Sequence, residues 1–412
     1  MNKCFKTIFI ILLFWNLSIL FGASFTWKNV TSIPGDRSNY VAVAANDKIY
    51  IIGGSHYVGN FNIDLATVEE YDPEAAKWTT KANMPKASET LSALIIDNKI
   101  YVCDVTNKII EKYDPTDDTW TTVTSIPKNT TYYGTAVAAN DKIYLIDTYG
   151  GFLSEYNIEK NTWIYKAAMP FKHHNGITVQ SVNNNIYILG GVPQSIPPAA
   201  QFNVYEYYPS ADVWTFKNTI GPEYAKCYMA SVIFNDKIYA FGGTNPNAGP
   251  YFEYIYPDNQ DTILMYDTKL DNISYPDNLP RKVSRAQAVK VNEKVYLIGG
   301  YSAENKPYRT IEEGTLSDLT DLAETTPLDM IKIFPQPLNT AKLYIINLPN
   351  VADIKVFSIA GELIRKLDYT DQSGAVSWDV KNTGGQTVTS GVYIISIDSP
   401  VGKKKLKVAV EK

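Results

Sequence analysis

Tyr40-Val-Ala-Val-Ala-Ala-Asn-Asp-Lys-Ile-Tyr-Ile-Ile-Gly-Gly54 is the stretch on which the reading of this chain turns. Its first half alternates with a period of two, Asn46-Asp47 supplies a polar turn, and Ile49-Tyr-Ile-Ile52 is a short apolar run. That is the pattern of two short β-strands joined tightly. The turn and second strand recur at Asp97–Tyr101, Asn140–Tyr144, Asn183–Tyr187, Asn235–Tyr239 and Asn292–Tyr296. Four of the six copies end in a glycine pair: Gly53-Gly54, Gly190-Gly191, Gly242-Gly243 and Gly299-Gly300. Downstream stand Tyr71, Tyr113, Tyr156, Tyr207 and Tyr266. Seven residues after each comes Trp78, Trp120, Trp163, Trp214 or, in the fifth copy, Ile273. Pro85, Pro127, Pro170, Pro222 and Pro280 follow, and Trp27 and Pro34 repeat that last interval at the start of the chain.

Each unit therefore holds four short runs of β period separated by polar turns. One such sheet cannot bury both faces alone, whereas sheets packed radially, face against face, bury them and leave only short edges. The glycine pairs let the backbone turn where a side chain would clash, and Tyr and Trp fill the space between blades. The sixth unit stops at Ile311-Glu-Glu-Gly314 without a Trp of its own, and the unmatched Trp27 strand is what it lacks. The sequence predicts an all-β, six-bladed propeller over residues 25–319, closed by strand 25–29, which removes an exposed edge. Trp27, the four later Trp and the glycine pairs are structural in this reading.

The repeat resembles the kelch family of β-propellers, whose unit is about fifty residues. After an acidic, polar linker at 320–329 the pattern changes. Residues 330–412 carry short alternating strands such as Ile354–Ile359 and Gly391–Ile397, which suggest a small β-sandwich. Phe334-Pro-Gln-Pro337, Val356-Phe-Ser-Ile-Ala-Gly361, Trp378-Asp379 and Ser390-Gly-Val-Tyr393 resemble the Ig-like C-terminal domains of bacterial exported proteins. That group includes flagellar hook-capping Ig-like folds and type IX secretion sorting domains. The resemblance implies sorting or surface attachment through the export machinery; the alternative is an accessory sandwich packed on the propeller.

The N-terminus reads as an address. Lys3 and Lys6 precede an apolar stretch from Thr7 to Leu20, and small Gly22, Ala23 and Ser24 precede Phe25, the pattern of a secretory signal peptide over residues 1–24. The apolar stretch is short for a membrane span, and no later one is long enough. The chain of 412 residues has net charge −5, which becomes −7 once the two leader lysines are removed. An acidic protein of this kind is a poor nucleic-acid binder. Three Cys, one of them in the leader, are too few for a disulfide framework.

Kelch propellers include copper oxidases, but only His56, His173 and His174 are available as imidazole ligands, so no copper or other cofactor is expected. The loops after the Pro marks and after the glycine pairs should emerge together around the channel mouth. They carry His56, Tyr57, Tyr132, His173, His174, Tyr224 and Tyr301, with Arg37, Arg285 and Arg309. Tyr presents a flat apolar face and a hydroxyl at low entropic cost, which suits a glycan or a protein at the cell envelope. The alternative comes from another kelch group, the secreted sialic acid mutarotases, and would use Glu223 and Arg285 as catalytic residues. From the Ile-Tyr strand to the next Tyr mark takes 12 residues in blades two and three but 21, 20 and 27 in blades one, four and five. Long loops are thus expected to wall a cleft open above blades two and three. There Asp104 and Asp147 replace the first Gly of the pair, either to hold Ca²⁺ or a sugar hydroxyl or to cap a tighter turn.

Overall fold

The computed structural model describes residues 24–59, 61–131, 134–170, 176–192, 202–221, 226–245, 259–317, 331–334, 342–346, 348, 352–369, 375–399 and 402–411. The expected leader up to residue 23 and the expected linker at 320–329 lie outside them. Among the described residues every regular element is a β-strand.

Blade one is an antiparallel sheet of Val41–Ala45, Lys48–Ile52, Val68–Asp72 and Lys77–Lys81, in that order. The next four blades repeat it, beginning at Leu91, Gly134, Ile177 and Ala230. The hairpin turns explain the recurring Asn-Asp. Asn46 and Asp47 both have positive φ, 49° and 59°, as do the matching pairs at 97–98, 140–141, 183–184 and 235–236. A two-residue turn needs that conformation twice, and Asn and Asp tolerate it best after Gly.

Blade six is made of Gln287–Val291, Lys294–Ile298, Thr310–Leu316 and, as its outer strand, Phe25–Ser32. The N-terminal strand runs antiparallel to Thr310–Leu316, pairing Phe25 with Leu316 and Trp27 with Gly314. A Cβ on Gly314 would stand 2.7 Å from the Trp27 ring, so the indole needs glycine opposite it. Neighbouring blades share one buried apolar cluster per seam, including one between blades six and one built on Tyr40, Ile49, Ile51, Tyr71, Tyr296 and Ile298. The ring is therefore closed by packing as well as by strand pairing.

Each Trp mark packs on the Tyr mark of its own blade, with ring centroids about 5 Å apart. Its indole N–H then crosses the seam: Trp120 donates to the Ala82 carbonyl at 2.8 Å, Trp163 to Ser125 and Trp214 to Ala167 at 3.0 Å. Trp78 donates to Thr31 of the closing strand. The glycine pairs act at the inner seam. Gly54 N–H donates to the Ser88 carbonyl of the next blade at 2.9 Å, Gly191 to Lys226 and Gly243 to Val283. A Cβ on Gly53, whose φ is +63°, would lie 2.8 Å from that Ser88 oxygen. Two backbones approach too closely there for any side chain.

The C-terminal residues form two further sheets. One contains Lys332–Phe334, Leu343–Ile346 and Ala375–Trp378; the other contains Leu363–Leu367, Asp353–Ser358, Gly391–Ser399 and Gly402–Val410. Leu343, Ile345, Ile354, Val356, Trp378, Ile395 and Ile397 are fully enclosed between them. This is a small β-sandwich with a buried Trp, whose N–H is satisfied by the Lys381 carbonyl at 2.9 Å.

Candidate functional site

One register position, just before the inner strand of a blade, builds the channel mouth. It is occupied by Asn39 in blade one, Thr90 in blade two, Gly176 in blade four, Tyr228 in blade five and Arg285 in blade six. Asn39, Gly176, Tyr228 and Arg285 all have positive φ, 55°, 72°, 58° and 53°. For Tyr and Arg that conformation carries a steric cost that the surroundings must impose. They do so by a chain of backbone hydrogen bonds around the axis: Tyr228 N–H to Gly176 O at 2.8 Å and Arg285 N–H to Tyr228 O at 3.0 Å.

These residues line a cavity of about 820 Å³. Tyr57 and Asn62, from the hairpin Ser55–Val58 and Phe61–Asp64, wall it on one side, and Tyr301, Asn305 and Tyr308 on another. The Arg285 guanidinium lies 4.6 Å over the Tyr228 ring and 5.9 Å from that of Tyr301. Among the described residues it has no carboxylate partner. Arg37, by contrast, is neutralised: it is buried, pairs with Glu69 at 2.7 Å and reaches the Gly53 carbonyl. Glu89 is the acidic group of the wall. Burial works to raise its pKa, but hydrogen bonds from Ser55, Asn39 and Asn62 outweigh it and hold the carboxyl below its ordinary range.

Of the residues expected from sequence, Arg37, Tyr57, Arg285 and Tyr301 come together at this cavity. His56 sits on the same hairpin opposite Ile63 but does not line it. Arg309 does not line it: its guanidinium donates to the Ile33 carbonyl at 3.0 Å and meets Asp36 at 3.1 Å, fastening blade six to the chain entering blade one. Tyr132, His173, His174, Glu223 and Tyr224 lie outside the described residues.

Both aspartates make local hydrogen bonds that cap their turns. Asp104 accepts the backbone N–H groups of Thr106 and Asn107 and the Asn107 side chain. Asp147 accepts the Thr131 N–H and hydroxyl, each at 2.7 Å, and the Gly150 N–H. Their lone pairs are thus committed locally. Among the described residues no three His, Cys, Asp or Glu converge as metal ligands. The blade-six segment 300–308 also walls the cavity, and most of the long loops of blades four and five lie outside the described residues. Sequence reasoning missed Asn39, Glu89 and Tyr228. The register linking Asn39, Tyr228 and Arg285 was available in the repeat, but their unlike side chains concealed it.

A family model described as the DUF6242 beta propeller domain matches residues 22–321, and one described as the Secretion system C-terminal sorting domain matches residues 332–411. Human Kelch-like protein 11 is 31% identical over 78 residues, 19% of this chain and 11% of that protein. Human Kelch repeat and BTB domain-containing protein 12 is 28% identical over 85 residues, 18% of this chain and 13% of that protein. Beta-scruin of Limulus polyphemus is 30% identical over 60 residues, 15% of this chain and 6% of that protein. The matches thus span at most 13% of these relatives' length. A solved structure titled "Structure of YjhT" superposes with a TM-score of 0.55 at 15% identity, over 70% of this chain and 97% of that one. At that identity the likeness concerns the fold alone.

Proposed function

The chain belongs to the DUF6242 β-propeller family, and from that premise we propose that it is a binding protein that takes an acidic glycan into the propeller mouth. Its sorting domain makes it an exported bacterial protein, secreted or held at the cell surface and handled by the export machinery. Residues 1–24 act as its leader and 320–329 as the linker ahead of the sorting domain.

The observation that carries the ligand reading is Arg285. A guanidinium laid over one tyrosine, beside a second, and with no carboxylate partner among the described residues, offers charge and flat apolar surface together. The strained backbone at Tyr228 and Arg285 holds both in place before any ligand arrives. A cavity of about 820 Å³ suits one or two sugar rings, whereas a protein partner would need a broader face.

Ligand-observed NMR of the full chain with N-acetylneuraminic acid, galacturonic acid and galactose tests this. Saturation transfer to the acidic sugars is expected, weakened by salt. Arg285→Ala should lose at least about tenfold in affinity, the scale of one charge-assisted hydrogen bond. Unchanged binding by that variant, or transfer to galactose alone, would overturn the reading. Faster anomeric exchange in the same spectra would make the protein a sugar mutarotase and direct mutation to Glu223.

A further inference from the structure

We propose that the leader is cut between Ser24 and Phe25, and that the α-ammonium so created on Phe25 ion-pairs with Asp277 to lock the propeller ring. The inference is independent of the glycan reading. It starts from one contact: the Phe25 backbone nitrogen donates to Asp277 Oδ2 at 2.7 Å.

Both partners are fixed. Phe25 opens the closing strand opposite Leu316, and its side chain is buried among the rings of Trp27, Phe234, Tyr239 and Phe241, with centroids 5.5 to 6.3 Å away. Three of those four rings belong to blade five, so the first residue of blade six is wedged into its neighbour. Asp277 comes from the segment leaving blade five. Its carbonyl accepts the Ile263 N–H at 2.9 Å, and its Oδ1 accepts the Asn278 N–H at 2.8 Å, which leaves Oδ2 directed at Phe25. Among the described residues no Lys or Arg pairs with Asp277.

The leader supplies the missing cation. Signal cleavage requires small residues one and three positions before the cut. A cut after Ser24 has Ser24 and Gly22 there; a cut after Ala23 would put Phe21 at the outer position, and a cut after Gly22 would put Leu20. Only the first satisfies both positions, and it places the new ammonium on the nitrogen that already faces the carboxylate. An ion pair then replaces an amide hydrogen bond, which strengthens it. Cleavage releases Ser24, whose contacts with Ser317 are exposed and replaceable by water.

The first test is export of the full chain with its leader from a bacterial host, followed by N-terminal sequencing. Phe25 is expected as the first residue; a product beginning at Ser24 or earlier would overturn the proposal. The second compares thermal midpoints of the mature protein and its Asp277→Asn variant from pH 6 to pH 10. Asn still accepts the hydrogen bond, so the variant folds. A free α-amino group titrates near 7.7–8.0, and pairing raises that value in the folded state. The stabilisation is therefore complete below about pH 8 and lost as pH rises through the folded value. The wild type should melt about 3 °C higher at pH 7, with the gap closing by pH 10. Tyr239, Asp267 beside it and Lys290 over the Phe234 ring face the same cluster. Both proteins carry them, so they cancel in the difference. A gap independent of pH would show a neutral contact and overturn the ion pair.

Discussion

At the scale of single residues, four of the five blades whose two outer strands are joined by a turn carry there a device that blade one lacks. Five residues after the Tyr mark stand Asp118, Asn161, Asp212 and Asp271, all at φ between 51° and 57°. Each accepts the hydroxyl of its Tyr at 2.6 to 2.8 Å. Asp118 and Asp212 also accept a backbone N–H from the preceding blade. Blade one has Ala76 there, at φ 50°. Ala76→Asp should stabilise the protein by about 1 kcal/mol, through better tolerance of that conformation and one added hydrogen bond. A raised urea midpoint at unchanged slope is the check. Lys226 is the opposite case, a cation 2% exposed whose Nζ reaches Thr262 and, among the described residues, no carboxylate. Burial pushes its pKa down to about 8, with Asp261 opposing. Below pH 8 the buried charge weakens the fold. Between pH 8 and 10.5 the unfolded chain holds a proton that the folded one has lost, so stability rises with pH. Lys226→Met should therefore be more stable than wild type at pH 7, with the advantage shrinking toward pH 10 in parallel denaturation curves. Neither residue was singled out from sequence, since the Asp positions read as ordinary turn residues and a lone Lys says nothing of its burial.

At the scale of elements, the closing strand is the one to remove. Phe25–Ser32 holds seven paired positions on Thr310–Leu316 and contributes Phe25 and Trp27 to the seam between blades five and six. Truncating either large ring alone costs about 3 kcal/mol or more. Deleting residues 25–32 should open the ring, exposing the Thr310–Leu316 edge and promoting association through it. Size-exclusion chromatography with light scattering reads this out, and a synthetic peptide of residues 25–34 should restore the monomer; a deletion variant that stays monomeric with an unchanged melting temperature would contradict it. This strand was legible because the interval from Trp27 to Pro34 copies that of the other blades. The glycine pairs were legible as close approaches, but not as donors to the next blade, because a repeat shows its own backbone and not its neighbour's.

At the scale of the whole molecule, the architecture could be read because the same physics recurs: alternation and a polar turn in all six units, and Tyr followed by Trp at fixed spacing in four of them. The site could be read only in part. Arg37, Tyr57, Arg285 and Tyr301 were placed at the mouth by their loops, yet which of them is free to meet a ligand depends on partners from other blades. Glu69 claims Arg37, and Ile33 with Asp36 claims Arg309, whereas Arg285 lies over its tyrosines with no carboxylate partner among the described residues. Such assignments follow from blade-to-blade contact, which no single repeat encodes. The closing strand also sets a timetable. Phe25 at the start of the propeller pairs with Leu316 at its end, so the ring's last contact has the largest loop to close and must await the final blade. The sorting segment, residues 332–411, is synthesised only after the strand that completes the circle. A chain that stops short of that strand thus lacks both a finished ring and the sorting segment.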